Sequence, residues 1–166
     1  MRIAYGLGCV ALAALVGMPA SAATLTVEQQ NSNIFQDRSG ANAWSESVTI
    51  SYDNDTPSPT SLPTSAGLFR LSAQDGSPLS DFVAFCFEVR QTVNLPTTYD
   101  LLDVPNATIE SRVVDLYDTH FADVSDSTTA AAFQLALWEL SEDGGGTLAD
   151  LDLDGGSFIV DSAPQA

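Results

Sequence analysis

The sequence predicts a mainly β domain of the α+β class, a β-sandwich or barrel-like body with two helices, and three observations support this. Short runs in which apolar and polar residues alternate recur along the chain, as is typical of strands with one buried face. One run, FVAFCFEV at 82–89, is apolar on both faces, as is typical of a central strand. Two later segments instead have apolar residues at helical spacing.

The first 22 residues have the features of a secretory signal peptide. Arg2 precedes an uncharged apolar run, Ala20-Ser21-Ala22 offers a cleavage site of small residues, and Cys9 is expected to leave with the peptide. An uncleaved membrane anchor is disfavoured because the run is short and ends in that site. We therefore expect an exported protein, extracellular or at the cell surface, with one domain over residues 23–166 and no membrane insertion after signal cleavage.

The chain is strongly acidic, with 22 Asp and Glu residues, five Lys and Arg residues together and a net charge of −17. Such a surface repels nucleic acid and anionic lipid, so neither is expected as a partner. All five basic residues are arginines. A chain without lysine suits a reactive acyl group, because it has no side-chain amine that could attack it, although an acidic composition is also typical of salt-adapted proteins.

Strands are predicted in order along the chain. Alternation indicates strands around 25–27 and 48–52, and 157–160 is expected to form the last strand. The segment 53–65 is rich in Asp, Pro, Ser and Thr and is predicted to be an exposed loop. The apolar runs at 67–71 and 82–89 flank Asp-Gly-Ser-Pro, which is turn chemistry, so a hairpin is expected there.

Two helices are predicted in the second half. The first covers about 109–120, with Asn106 as its N-cap. The second runs from about Ser127 to Leu140, and Ser125 or Asp126 caps its start. Its middle is apolar all round except for Gln134, which predicts a buried helix whose one amide needs hydrogen-bond partners.

Cys86 is the only cysteine expected in the exported chain, which is unusual because disulfides need pairs. Three interpretations are possible. Cys86 is an inert core residue, or it forms a disulfide with another chain, or it reacts with a group inside the fold. The second is disfavoured because a cysteine on a central strand is hard to reach from outside. Gln134 is such a group. Attack of the thiol on its carbonyl carbon would expel ammonia and leave a thioester, which an apolar environment protects from water. The residues alone favour the simpler alternative, in which backbone groups satisfy Gln134.

The sequence around both residues resembles the thioester domains of bacterial surface adhesins. Phe85-Cys86-Phe87-Glu88 matches that family's strand motif, and Gln134-Leu135-Ala136-Leu137-Trp138 matches its helix motif. The segments GLFRLSA, FCFEV and AAAFQLALWEL are most similar to the Gram-negative exported branch, whose members often end in a PEP-CTERM-type sorting tail. The similarity covers about 67–160. Phe133 stands where many members have Thr, and no sorting tail follows Ala166, which leaves open a truncated form or release into the medium.

The resemblance implies a role for each residue. Cys86 is the thiolate, Gln134 supplies the acyl carbon, and an amine on an unidentified surface or macromolecule attacks that carbon and ends as an amide. This is a single covalent attachment without turnover, with no cofactor and no metal, so the protein is not expected to be an enzyme. Glu88 is expected to hydrogen-bond near the site or shuttle a proton, or to lie only at its edge. Trp138 is expected to shield the bond or simply to pack in the core.

Three rival interpretations remain. Cys86, His120 and Asp123 supply the residue types of a thiol acyltransferase or protease triad, although no thiol-protease signature surrounds the cysteine. The acidic segment 150–161 imitates a calcium loop, but an acidic turn before a strand is favoured because no second helix can follow it. The third is an inert extracellular structural or matrix β-domain.

Overall fold

The computed structural model describes residues 2–6, 8–13, 24–29, 34–37, 39–52, 60–73, 81–90, 93, 95–103, 106–144 and 147–163, and the contacts below concern these residues. They form strands, two α-helices and two short 3₁₀ turns. The strands are β1 (Arg2–Gly6), β2 (Gly8–Ala13), β3 (Thr24–Gln29), β4 (Ser45–Tyr52), β5 (Thr60–Gly67), β6 (Phe69–Ala73), β7 (Asp81–Cys86), β8 (Thr97–Asp103) and β9 (Phe158–Ser162). The helices are α1 (Ala107–His120) and α2 (Ser127–Glu142), with 3₁₀ turns at Phe121–Asp123 and Leu148–Asp150.

The strands form two antiparallel sheets. One has the order β1-β2-β7-β6-β3-β8, with β8 also paired to β1, and the other has the order β5-β4-β9. The predicted mainly β, α+β architecture with two helices is therefore confirmed. Strands β1 and β2 belong to the segment predicted to be a signal peptide, and its removal stays a prediction. Strands β7, β6, β3 and β8 pair with one another independently of those two.

Strand β7 is buried on both faces, as its sequence predicts. Ala84 and Cys86 belong to one apolar cluster, and Phe85 and Phe87 belong to a second cluster on the opposite face. The predicted hairpin is also confirmed, because β6 and β7 are antiparallel with Phe69 opposite Ala84. The predicted turn between them lies outside the described residues.

The loop predicted over 53–65 is wrong in its last part. Strand β5 pairs with β4 along its whole length, with Leu62 opposite Ile50. Pro63 is compatible with a strand here because β5 is an edge strand, and an edge leaves one side of the backbone without ladder hydrogen bonds. Residues 53–59 lie outside the described part of the chain.

Both helices begin where the sequence predicts. The Asn106 side chain accepts hydrogen bonds from the first-turn amides of α1. Asp126 accepts from the Thr129 amide at 2.8 Å, and the Thr129 hydroxyl accepts from the Asp126 amide at 3.1 Å, which forms a capping box. The hydrogen bonds from Thr129 also lower the pKa of Asp126. Helix α2 ends near Gly144, whose φ of 41° lies in the left-handed region that glycine tolerates.

Helix α2 lies between the two sheets and contacts β4, β5, β7 and β9. Most of its residues are buried, which explains why its sequence is apolar all round. No helix in the described part of the chain is long and apolar enough to span a membrane. The consequence for the site is that the middle of α2 lies directly against the end of β7.

Candidate functional site

The structure brings Cys86 and Gln134 together. The Cys86 backbone N–H donates to Gln134 Oε1 at 2.8 Å, and Gln134 Nε2 donates to the Cys86 carbonyl oxygen at 2.5 Å. The side-chain amide thus pairs with the end of β7 as a peptide group of a neighbouring strand would. Only 4% of Cys86 and 1% of Gln134 are exposed. This pairing supplies the hydrogen bonds that a buried amide requires.

Aromatic residues on the other face of β7 fix this arrangement. The rings of Phe85 and Phe133 lie 4.6 Å apart, and each is the chain neighbour of one of the two site residues. Phe133 also packs edge-on against Tyr117, with ring centroids 4.9 Å apart. Phe133, which departs from the threonine of the adhesin motif, is therefore a core residue that holds α2 at a fixed height over β7.

The sulfur atom of Cys86 is not free in this structure. It is disulfide-bonded, and no cysteine among the described residues is free. The sequence has one other cysteine, Cys9, in the predicted signal peptide. A sulfur atom cannot belong to a disulfide and to a thioester at the same time. Cleavage of the backbone alone would leave the disulfide intact, so the thioester hypothesis applies to a chain from which residues 1–22 are removed before this disulfide forms.

The backbone of Glu88 lies close to the Cys86 sulfur. Its carbonyl oxygen is 3.2 Å from Cys86 Sγ, and the residue is half-buried. The role predicted for the Glu88 carboxylate, in hydrogen bonding or proton transfer, stays a prediction.

Trp138 lies one turn after Gln134 and belongs to the same apolar cluster as Cys86. It is 4% exposed and packs edge-on against Phe158, with ring centroids 6.2 Å apart. Its indole Nε1 has no hydrogen-bond partner within the described part of the chain. The position agrees with the predicted shielding and with ordinary packing, so both interpretations remain.

A cleft of 530 Å³ opens over Cys86 and Trp138. Its wall includes the rings of Phe35, Tyr52 and Phe69, and Arg90 lies at its edge. The Arg90 guanidinium carbon is 5.4 Å from the centre of the Tyr52 ring, and Arg90 donates to the Glu142 carboxylate at 2.8 Å. Sequence motifs did not identify Phe35, Tyr52 or Arg90, because segments far apart in the chain build this cleft.

His120 is not part of the Cys86 site. Its imidazole lies 3.7 Å from the Asp123 carboxylate, and both side chains are more than half exposed. His120 and Asp123 line a separate cavity of 320 Å³ against α2, and the two linings share no residue. The described structure therefore does not assemble the predicted Cys-His-Asp triad.

The carboxylates of the calcium-like segment have separate roles. Asp150 accepts from the Thr147 amide as a cap, and this hydrogen bond lowers the pKa of its carboxyl. Asp161 accepts from the Ser51 hydroxyl at 2.6 Å, within the β4–β9 pair. In the residues that the structure describes, no group of three or more His, Cys, Asp and Glu side chains could hold a metal ion. The acidic segment is a capped turn that leads into β9.

Glu139, on α2, is a buried carboxylate that sequence reasoning missed. It is 5% exposed, and its Oε2 has no hydrogen-bond partner among the described residues. Burial raises its pKa, and the nearby carboxylates of Asp143 and Asp152 raise it further. Because the folded protein favours the protonated form, its contribution to stability is present at acidic pH and is lost as pH rises through the raised pKa.

Glu139→Gln is therefore expected to raise the free energy of unfolding at neutral pH, since it removes a buried charge that lacks a full set of partners. The gain should shrink as the pH falls, because the wild-type carboxyl is then protonated too. Urea unfolding from pH 4 to pH 8 measures this difference. Asp118→Asn removes the same charge from an exposed position and serves as the control. A gain that is independent of pH would contradict the assignment.

Comparisons of the chain with family models, with curated proteins and with solved structures gave no match. The resemblance to thioester domains consequently depends on the two motifs alone. The geometry that those motifs form in this chain is the remaining basis for a functional proposal.

Proposed function

We propose that the exported protein forms an internal thioester between Cys86 Sγ and the Gln134 side-chain carbonyl carbon, and uses it to attach covalently to amines. The observation that carries this proposal is the two-bond pairing between the Gln134 amide and the Cys86 backbone. It holds the acyl group against the cysteine residue, and both residues are buried in the structure. The targets are amine groups on a surface or macromolecule outside the cell.

Hydrogen bonds around the amide suit both chemical steps. When the Cys86 thiol attacks the Gln134 carbonyl carbon, negative charge develops on Oε1, and the Cys86 N–H at 2.8 Å is placed to stabilise it. The C–N bond then breaks, and the nitrogen leaves as ammonia with the thiol proton. The same N–H can stabilise the same oxygen when an amine later attacks the thioester.

The cleft provides a path for the reactants. Cys86 and Trp138 lie in its lining, so ammonia can leave and an amine can enter on that side. The surrounding rings limit the access of water, which would hydrolyse the bond. The attacking amine ends as an amide on Gln134, and the Cys86 thiol is released. The event happens once in each molecule.

An inert extracellular structural domain is the second candidate. It is favoured by the same pairing, because hydrogen bonds to the Cys86 backbone satisfy the Gln134 amide without any reaction. The two candidates differ in whether the C–N bond of Gln134 is intact in the exported protein, and one mass measurement separates them.

The exported protein is expected to be lighter than its sequence by one ammonia molecule, because thioester formation expels ammonia. Methylamine should add once across the bond, which raises the mass of the thioester form by one methylamine and frees the thiol. Thiol reagents applied in brief, mildly acidic denaturant should therefore label Cys86 only after methylamine treatment. The same spectrum identifies the N-terminus and so tests signal removal. An exported protein of full mass with one thiol that titrates at once would favour the inert domain.

A further inference from the structure

Thioester formation changes the hydrogen bonding of a buried carbonyl group. In the structure, Gln134 Nε2 donates to the Cys86 carbonyl oxygen at 2.5 Å. The reaction removes this nitrogen as ammonia, while the thioester keeps only the carbonyl oxygen of the side chain. The Cys86 carbonyl thus loses the donor that the structure shows, in a position that is 4% exposed. A buried carbonyl that loses its donor destabilises the state in which this happens.

A donor of the right kind lies on the same helical face. Trp138 follows Gln134 by four residues, which places it one turn further along α2. Its indole N–H is a hydrogen-bond donor only, and Nε1 is buried without a partner among the residues that the structure describes. Trp138 and Cys86 belong to one apolar cluster and line one cleft. Trp138 thus offers a donor without a partner among the described residues, in the same cluster and cleft as an acceptor that the reaction deprives of a donor.

We propose that the indole N–H of Trp138 replaces the departed Gln134 nitrogen as the hydrogen-bond donor to the Cys86 carbonyl oxygen in the thioester state. This inference rests on the proposed thioester. It makes Trp138 a positioning residue, because it acts through the Cys86 backbone. The exchange keeps the number of hydrogen bonds constant, because the indole N–H, which has no partner among the described residues, gains one when ammonia leaves. The thioester state is stabilised relative to the unreacted state.

The indole proton reports this exchange directly. The chain has two tryptophans, Trp44 and Trp138, and the spectrum of Trp44→Phe assigns their two indole signals in the ¹⁵N-labelled exported protein. The Trp138 signal is expected further downfield in the protein that shows the ammonia deficit than in Cys86→Ala, which cannot react. Ammonium at mildly alkaline pH regenerates the Gln134 amide, so it should return the signal to its position in Cys86→Ala while the mass rises by one ammonia.

A variant adds a kinetic readout. Trp138→Phe keeps an aromatic ring but removes the donor together with the second ring of the indole, and its thioester is expected to react with methylamine roughly two- to tenfold faster from the loss of one hydrogen bond. Because the smaller ring also widens the cleft, a faster rate supports the exchange only together with the shift of the indole signal. Trp44→Phe is the matched control and should keep the wild-type rate. If Trp138→Phe does not fold, the indole signal of the wild-type protein decides.

The two possible failures give different results in these measurements. The role of Trp138 is overturned if the exported protein shows the mass deficit but its Trp138 indole signal is the same as in the ammonium-treated protein and in Cys86→Ala. The thioester itself is then unaffected. An exported protein of full mass overturns the thioester, and the inference falls with it.

Discussion

Cys86→Ala is expected to abolish covalent capture of amines while the domain remains folded. The sulfur is the nucleophile and the leaving group, so no bond can form without it. The fold should remain because Gln134 pairs with the backbone N–H and C=O of position 86, which alanine also has. The loss of one buried sulfur should cost about 1 kcal/mol, as for a group of methylene size.

Incubation with a fluorescent primary amine, followed by denaturing electrophoresis and intact mass, measures the capture, and thermal unfolding measures the cost. Cys9→Ser is the matched control, because it removes the chain's other cysteine and keeps Cys86. It should capture amines as the wild-type exported protein does. In the full-length chain, where the structure has the Cys86 sulfur in a disulfide, it should increase capture. Labelling of Cys86→Ala at the wild-type level would show that another residue reacts.

Local patterns were sufficient for much of this fold. The segment 82–89 is apolar on both faces and contains most of β7, which pairs with β2 on one side and β6 on the other. The caps Asn106 and Asp126 begin the two helices as predicted. These features depend only on residues that are close together in the sequence, so they can be predicted without knowing the fold. Strand β5 was missed because an edge strand tolerates Pro63 and polar residues, which makes it resemble a loop. Strand β8 was missed because polar and apolar residues alternate over only four of its seven residues, 98–101, before Leu102 breaks the pattern.

The site was predictable in part. The sequence marks Gln134 as the one polar residue of a buried helical segment, and the motif around Cys86 supplies its partner. The two-bond pairing could not be derived, because it depends on the height of α2 over β7, which packing of Phe85 against Phe133 fixes. The disulfide at Cys86 was not expected either, because Cys9, the other cysteine, lies in the predicted signal peptide, which is expected to be removed.

Gln134→Glu is expected to produce a protein whose stability depends strongly on pH. A protonated carboxyl can replace the amide, accepting from the Cys86 N–H and donating to the Cys86 carbonyl oxygen. An ionised carboxylate instead places a second negative oxygen against that carbonyl, where the amide nitrogen now lies at 2.5 Å. Burial and the lost donor therefore raise the pKa of the introduced glutamate in the folded state above its unfolded value of about 4.3.

The direction of this pH dependence follows from the linkage between proton binding and folding. Because the folded-state pKa is raised, the contribution of this carboxyl to stability is fully present below about pH 4.3 and is lost as the pH rises through the folded-state pKa. The loss at high pH should be about 4 kcal/mol, the size expected for a buried charge that lacks its partner. Gln134→Leu is the control, because it leaves the same backbone groups without the amide, does not titrate, and should cost about 1–3 kcal/mol at every pH.

Urea unfolding of both variants and the wild type between pH 4 and pH 9 measures these losses, and parallel profiles for the wild type and Gln134→Glu would contradict the buried pairing. The result also concerns the reaction, because hydrolysis of the proposed thioester leaves a glutamate at position 134. Hydrolysis at neutral pH would then destroy the reactive bond and destabilise the contact between α2 and β7. Trp138 and Phe69 line the cleft, and if they keep water from the proposed thioester they would protect the fold together with the chemistry.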